Sequence, residues 1–162
     1  MATPTTLPAS FTAGQVLTAA QMNDLRGAFR ILQVVEGKTS TSATSSSATY
    51  ADTNLTVTIT PQSSSSKILV IASQAISTSA SANSAGLRIV RGSTTLTQNS
   101  DIAYNATGGG IIISWQMMNL DSPATTSATT YKTTFARTFG GGSVTANPAG
   151  NDASIIVMEI SA

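Results

Sequence analysis

The stretch LTVTITPQSSSSKILVI, residues 55–71, decides the fold of this chain. Apolar residues alternate with threonine from Leu55 to Ile59, which is the period of a strand with one buried face. Pro61 ends that strand, and the polar residues after it predict a turn. The apolar run that follows predicts a second strand, which extends to about Ile76.

Strand patterns of this kind recur through the rest of the chain. Connections rich in glycine, serine and threonine separate them, and no helical crossover pattern lies between them. The predicted strands are residues 31–36, 55–59, 67–76, 86–90, 94–98, 102–104, 111–119, 131–139 and 154–160. About eight strands at such spacings predict a mainly β fold, an antiparallel, jelly-roll-like β-sandwich.

Two segments carry further expectations about the sheets. Residues 37–49 are almost entirely small or hydroxylated, which predicts either a polar loop or a weak edge strand. Residues 154–160 are apolar on both faces. A strand of that kind is usually central in its sheet or lies at a subunit interface.

The side-chain inventory excludes several classes of function. The 162 residues include no cysteine and no histidine, so a disulfide framework, a thiolate zinc site and a Ser-His-Asp triad are impossible. The net charge of +1 favours neither nucleic acid nor an anionic membrane as a partner. The apolar runs are too short for a bilayer span, and the N-terminus lacks the regions of a signal peptide. We therefore expect no nucleic acid partner and no membrane insertion.

The few acidic residues are not arranged for catalysis or for metal binding. The seven carboxylates are dispersed, and only Asp152 and Glu159 are close in sequence, whereas a glycosidase needs two convergent carboxylates. Asn99, Asp101 and Asn105 could offer oxygen ligands to calcium, but their density is far below that of an EF-hand. The sequence predicts a protein that is not an enzyme and that holds no metal and no cofactor.

The aromatic residues divide into two groups. Trp115 and Phe135 lie in predicted strands, where packing in the core or at an interface is expected. Tyr50 and Tyr104 lie in a loop-like context, in which contact with a sugar or a receptor is the alternative to packing.

Charged residues make up only 9% of the chain, against about 25% in a typical globular domain. A folded chain with few charges can stay soluble by burying its surface against identical neighbours, or by presenting many hydroxyl groups. Both possibilities favour a subunit of an assembly over a free monomer.

The first 32 residues differ in character from the rest. Residues 1–15 predict an extended arm, for which a disordered terminus is the alternative. Residues 16–32 predict a short helix with apolar residues at heptad spacing, which rests either on a partner protein or on its own domain. The chain thus divides into an arm and helix, 1–32, and a β-sandwich domain, 33–162. The residues expected to anchor the arm and helix to a partner are Leu7, Phe11, Val16, Leu17, Met22, Leu25 and Phe29.

Three stretches carry a resemblance to a known class of proteins. FTAGQVLTAAQMN, residues 11–23, resembles an N-terminal motif of structural proteins from tailed bacteriophages. ILQVVEGKTSTS at 31–42 and ATYADTNLTVTITPQSSSSKILVIAS at 48–73 resemble a β-rich module of phage fibre proteins, and the closing IIVMEI is similar to the end of such modules. The resemblance implies a virion protein with a trimer of β-sandwich knobs that an N-terminal segment fastens to the particle. It supplies no catalytic residues.

Two structural hypotheses follow from the resemblance. In the first, the protein is a short trimeric fibre of the virion whose arm and helix dock on other virion proteins. Its outward loops, around 78–86, 104–110, 121–130 and 140–150, would then contact a glycan or receptor on the bacterial surface. In the second, it is a capsid decoration protein, or cement protein, that stabilises the head. A small depolymerase is the enzymatic alternative, which the shortage of acids disfavours.

Overall fold

The computed structural model describes residues 13–14, 16, 18–19, 31–106 and 108–161. Within these ranges the chain forms ten strands and one 3-10 helix, Pro148–Gly150. The strands are β1 (Ile31–Thr39), β2 (Ala43–Ser45), β3 (Ala51–Ile59), β4 (Lys67–Thr78), β5 (Asn83–Arg91), β6 (Thr94–Asn105), β7 (Ile112–Asp121), β8 (Thr129–Phe139), β9 (Val144–Ala146) and β10 (Ala153–Ile160).

The strands form two antiparallel sheets. In sheet 1, β10 lies between β1 and β4, and β7 pairs with the other edge of β4. The short strands β2 and β9 pair with each other, and β9 continues the pairing of β10 along β4. Thus β1 with β2, and β9 with β10, each act as one interrupted strand. Sheet 2 has the order β3-β8-β5-β6.

The two sheets follow the connectivity of a jelly roll. When each interrupted pair counts as one strand, eight strands remain, and their sheet orders are 1-8-3-6 and 2-7-4-5 in chain numbering. Consecutive strands thus alternate between the sheets except in the β5–β6 hairpin, as in two interlocked Greek keys. The predicted antiparallel, jelly-roll-like β-sandwich is confirmed.

The core lies between the two sheets and follows from the alternation in the sequence. Leu55, Val57 and Ile59 of β3 are buried, whereas the threonines between them are exposed. Phe135 is buried in the core and Trp115 packs against it partly buried, as predicted. The largest buried apolar side chains of sheet 1 are Ile68, Val70, Ile76, Ile155 and Val157.

A buried polar network joins the two sheets at the middle of the core. Gln74 of sheet 1 donates a hydrogen bond to Asn147 Oδ1 at 3.0 Å and accepts one from Thr133 Oγ1 of sheet 2 at 2.9 Å. The Thr133 hydroxyl also bonds the hydroxyl of Thr53 on the neighbouring strand. Because each member has partners, the network fixes the relative position of the sheets without leaving a polar group unpaired.

We predict that Gln74→Ala destabilises the protein by about 1–3 kcal/mol, because Asn147 and Thr133 each lose a buried partner. The free energy of unfolding in urea measures the effect. Ser73→Ala, at the neighbouring position on the outer side of β4, is the control and should change stability by less than about 0.5 kcal/mol. Equal effects of the two substitutions would show that the network does not hold the sheets.

Several boundaries differ from the sequence-based expectations. Strand β1 begins at Ile31, so Ile31 and Leu32 belong to the sheet and not to the end of a helix, and the sandwich begins two residues before the predicted boundary. The segment 37–49 contains the end of β1 and the edge strand β2, which confirms the edge-strand alternative. The predicted strands 94–98 and 102–104 are one continuous strand, β6. The last strand is central in its sheet, as predicted.

The sandwich has two distinct ends. We call the end at which β1 begins the entry end. There Ile31 pairs with Ile160, and Ile160 pairs with Lys67 at the start of β4. We call the other end, at which β4 finishes with Thr78, the loop end. The twelve residues of β4 run from one end to the other, which separates the ends by about 36 Å at ~3.3 Å per residue.

Candidate functional site at the loop end

The connections at the loop end are tied into one unit. The Thr78 amide donates to the carbonyl oxygen of Ile111 at 3.0 Å, and the Ser79 amide donates to that of Ser143 at 2.9 Å. The Asn83 side chain also donates to the Ser143 carbonyl, at 2.9 Å. These bonds join the β4–β5, β6–β7 and β8–β9 connections, so the loop end is built on the ends of rigid strands.

A cleft of about 430 Å³ opens beside these connections, on the edge of sheet 2. Ser84 of β5, Asp101 and Tyr104 of β6, and Thr138 and Phe139 of β8 line it. The rings of Tyr104 and Phe139 meet edge to face with their centroids 6.2 Å apart. Both rings are about half exposed, 50% and 56%, so they present apolar surface to a bound molecule and not only to each other.

The floor of the cleft is a fixed carboxylate. Asp101 Oδ1 accepts hydrogen bonds from Ser84 Oγ and Thr138 Oγ1, both at 2.9 Å. The two hydroxyls also lie 2.8 Å from each other. A carboxylate held in this way keeps one orientation, and its oxygens are acceptors for the hydroxyl groups of a ligand.

Backbone irregularity positions the cleft residues. Asp101 and Ala103 have positive φ angles, 58° and 55°, in the middle of a strand, and the register of β5 with β6 shifts on both sides of Ala85. Left-handed backbone is costly for residues other than glycine and persists where the surroundings impose it. Bulges of this kind re-aim side chains, and here they bring Asp101 and Tyr104 to the same cleft.

Gly140 directly follows Phe139, the last cleft residue of β8. Its φ is +85°, and an added Cβ would collide with the backbone carbonyl of Ala82. Only glycine meets both conditions. The chain can therefore turn sharply after Phe139, which leaves that ring facing Tyr104.

The entry end carries ionic contacts between the two sheets. Asp121 of sheet 1 accepts hydrogen bonds from Arg91 Nη1 at 2.9 Å and from the Tyr131 hydroxyl at 2.8 Å, both from sheet 2. Burial and the neighbouring carboxylate raise the pKa of Tyr131 above its ordinary value, so the phenol stays a neutral donor. The Arg91–Asp121 ion pair and the Tyr131 hydroxyl therefore link the two sheets at the entry end.

Glu159 fastens a turn to the same end. Its side chain is fully buried, and its carboxylate accepts hydrogen bonds from Gln33 Nε2 at 2.6 Å and from the Gln62 amide at 2.7 Å. Burial by itself raises the pKa of Glu159, but the hydrogen bonds from Gln33 and the Gln62 backbone outweigh it and hold the pKa below its ordinary value. The charged carboxylate therefore stabilises the fold.

We predict that this stabilisation depends on pH. Since the pKa of Glu159 is lower in the folded chain than its ordinary value of 4.5, the stabilisation is complete above that value and is lost as the pH falls towards the folded pKa. Glu159→Gln should lower the melting temperature at pH 7 and flatten its dependence on pH below 4.5. A variant whose melting temperature falls as steeply with pH as that of the native chain would contradict this role.

Of the predicted anchoring residues, one lies in the described part of the chain. Val16 is described and is 87% exposed. The other six, Leu7, Phe11, Leu17, Met22, Leu25 and Phe29, lie outside the described residues.

The predicted outward loops do not all lie at the same end. The connections within 78–86, 104–110 and 140–150 gather at the loop end. The connection within 121–130 follows Asp121, which pairs with Ile68 near the start of β4, and so lies at the entry end. The expectation that all four face the same way is wrong, because strand order and not composition decides which loops meet. The residues that sequence reasoning missed are Ser84, Thr138 and Phe139.

The acidic residues considered for catalysis and for metal binding lie apart from one another. Asp152 precedes β10 and Glu159 lies near its far end, so these two carboxylates do not converge. Among the described residues, no group of three or more acidic side chains could hold a metal ion. The described chain also has no helix long and apolar enough to cross a membrane.

No protein-family model matches the chain, and no curated protein matches it. Solved structures do show similarity. One is a mutant VP2 protein of infectious bursal disease virus from T=1 particles, with a TM-score of 0.46 and 13% identity over 80% of this chain and 36% of that one. A second is a structure of the Gt strain of the same virus. Its TM-score is 0.43 and its sequence identity 16%, over 83% of this chain and 38% of that one.

A third similar structure is dimeric latent PorU from Porphyromonas gingivalis, with a TM-score of 0.41 and 9% identity over 82% of this chain and 14% of that one. The chain spans well under half the length of the solved proteins it matches. Similarity at this level concerns the arrangement of strands alone.

Proposed function

We propose that this protein is a non-enzymatic structural protein of a tailed bacteriophage virion. It is a short trimeric fibre whose N-terminal arm and helix dock on other virion proteins and whose β-sandwich faces outward. The observation that carries the proposal is the separation of the two ends. The chain enters the sandwich at Ile31, and the cleft of Tyr104 and Phe139 lies at the opposite end of β4.

The resemblance of 11–23 to an N-terminal motif of phage structural proteins supports the orientation. Those residues precede the entry end, so a particle that held them would turn the loop end away from itself. The exposed cleft would then be the first part of the sandwich to meet a bacterial surface. The cleft side chains lie on strands and not on flexible loops. A binding site on strands is held in a more precise geometry than one on loops.

The chemistry of the cleft supports a surface glycan as the molecule it contacts. The rings of Tyr104 and Phe139 offer apolar faces on which a sugar ring can lie, and the carboxylate of Asp101 accepts hydrogen bonds from sugar hydroxyls. Pockets that combine apolar walls with a few fixed polar groups are typical of small-ligand sites.

We predict that removal of the Tyr104 ring lowers attachment to the host. Particles that carry Tyr104→Ala should adsorb to cells about tenfold more slowly, whereas Tyr104→Phe, which keeps the ring, should adsorb at nearly the native rate. The adsorption rate of purified virions measures both. Native adsorption by the alanine variant, with the protein present on the particle, would exclude the cleft as the attachment site.

We predict that deletion of residues 1–15 prevents incorporation into particles and leaves a soluble, folded sandwich. The ten described strands all begin at or after Ile31, so circular dichroism should remain that of a β protein. Phe11→Asp is the matched variant that keeps the chain length and should reduce incorporation as well. Normal loading of the truncated protein, measured by immunoblotting of purified virions, would refute the anchoring role.

A capsid decoration protein is the second candidate, and an exposed apolar surface favours it. Met118 and Leu120, on the outer side of β7 towards the entry end, are more than half exposed and could cover a joint between capsomers. On this candidate function, we expect heads that lack the protein to lose resistance to heat or to low salt. Unchanged head stability after deletion of the gene would leave the fibre as the better assignment.

A further inference from the structure

The outer face of sheet 1 carries a continuous apolar row. Register pairing places Val34 opposite Met158, Met158 opposite Leu69, and Leu69 opposite Leu120. None of these side chains is buried, and Val34 and Leu120 at the two edges are 55% and 53% exposed. One row of four apolar side chains therefore crosses every long strand of the sheet on its outer side.

The next row towards the loop end repeats the pattern. Ile156 pairs with Ile71, and Ile71 pairs with Met118, which is 69% exposed. The β1 member of this row is Glu36, whose carboxylate forms an ion pair with Lys38 at 3.2 Å. The two rows form an apolar surface with a charged pair at its border, which is the composition of an interface core with a polar rim. We call the seven apolar residues of these rows the apolar face.

The outer face of sheet 2 differs sharply in composition. On β3 and β8 it presents Thr56, Thr58, Thr130 and Lys132, and the hydroxyls of Thr58 and Thr130 bond each other at 2.8 Å. Both sheets cover the same core, so the core does not explain the difference between them. A solvent-facing sheet surface is expected to be polar, as it is on sheet 2, whereas the entry-end half of sheet 1 is apolar.

We propose that the apolar face is the surface through which copies of this chain associate with one another. Four strands at ~4.8 Å spacing and about 36 Å in length give the whole outer face of sheet 1 an area of roughly 700 Å², close to the ~800 Å² per partner of a standard protein interface. The apolar face forms the entry-end half of that area, and the next row, Lys38, Ser154, Ser73 and Gln116, is polar. With 9% charged residues in the chain, contact between copies is also the simplest way to remove this apolar surface from water.

The exposed apolar residues at both edges of the apolar face favour another copy over the predicted N-terminal helix as the occupant. Val34 and Leu120 lie on opposite edge strands of the sheet, with two strands between them. One helix, about 10 Å across, covers two to three strands. A second sandwich is broad enough to cover both edges together.

The apolar face would be the contact surface within the trimer of the proposed function. Only the number of copies rests on that proposed function. If copies pack around an axis that runs along the strands, all entry ends lie together and all clefts point the same way. Such an arrangement agrees with a fibre that is held at one end. The association itself is testable on the isolated full chain without any virion.

Light scattering on the purified full chain tests the proposal. The native protein should have a molar mass that is a multiple of 16.5 kDa. The double variant Met118→Asp and Leu120→Asp should fall to 16.5 kDa with an unchanged circular dichroism spectrum, because both side chains point outward from an edge strand. The matched control, Thr58→Asp and Thr130→Asp on the outer face of sheet 2, should keep the native mass.

Three outcomes would overturn the proposal. They are a native chain of 16.5 kDa, a folded Met118 and Leu120 variant with the native mass, and a chain that becomes monomeric on deletion of residues 1–15 alone. Incorporation into virions is a separate measurement. A monomer that still loads onto particles would contradict the association and leave the virion role standing.

Discussion

The pairing of β4 along both of its edges is the constraint on which the rest of the structure depends. One edge pairs with β7 from Ile68 to Ser77, and the other pairs with β10 and then with β9. Because β9 and β10 share one edge, the final segment of the chain runs the full length of β4. Because its neighbours pair with β4 over its whole length, sheet 1 is as long as β4. Each connection between strands therefore lies at one of the two ends of β4.

The two ends and the two faces then acquire different chemistry. At the entry end, buried ionic groups fasten the chain where it joins the sandwich: the Asp121 carboxylate with Arg91, and Glu159 with Gln33. At the loop end, backbone hydrogen bonds hold the connections, and the carboxylate of Asp101 lies in the cleft, where Ser84 and Thr138 bond to it. The faces also differ, since the entry-end half of sheet 1 is apolar on its outer side and sheet 2 is hydroxylated. A sandwich with such asymmetry is suited to a fixed orientation in an assembly.

The local sequence pattern predicts most of the strands, because a strand with one buried face has an apolar residue at every second position. The alternation from Leu55 to Ile59 gave a strand with its buried face correctly assigned, and residues apolar on both sides gave the central position of β10. The start of β1 is harder to predict, since Leu32 continues the heptad spacing of Met22, Leu25 and Phe29 and also belongs to the strand pattern of 31–36. Strand β6 was divided in two because Asn99 and Asp101 are typical of turns, whereas the sheet absorbs them as a bulge.

The candidate site was the least predictable part, because its residues come from three strands that meet only through the sheet order. The sequence draws attention to Asp101 as an oxygen ligand in a segment too sparse for a calcium site, and to Tyr104 as a residue for contact with a sugar or a receptor. Nothing local indicates that Ser84 and Phe139 share their cleft, nor that φ at Asp101 is positive. The placement of the 121–130 connection at the entry end is equally a property of strand order.

Electron microscopy of the intact virion, at a resolution that places the two sheets, tests the central claim most directly. The account predicts sandwiches on the particle surface with Ile31 towards the particle and the cleft of Tyr104 and Phe139 as the most distant part. Sandwiches whose cleft is buried against the particle, or virions without this protein, would contradict it.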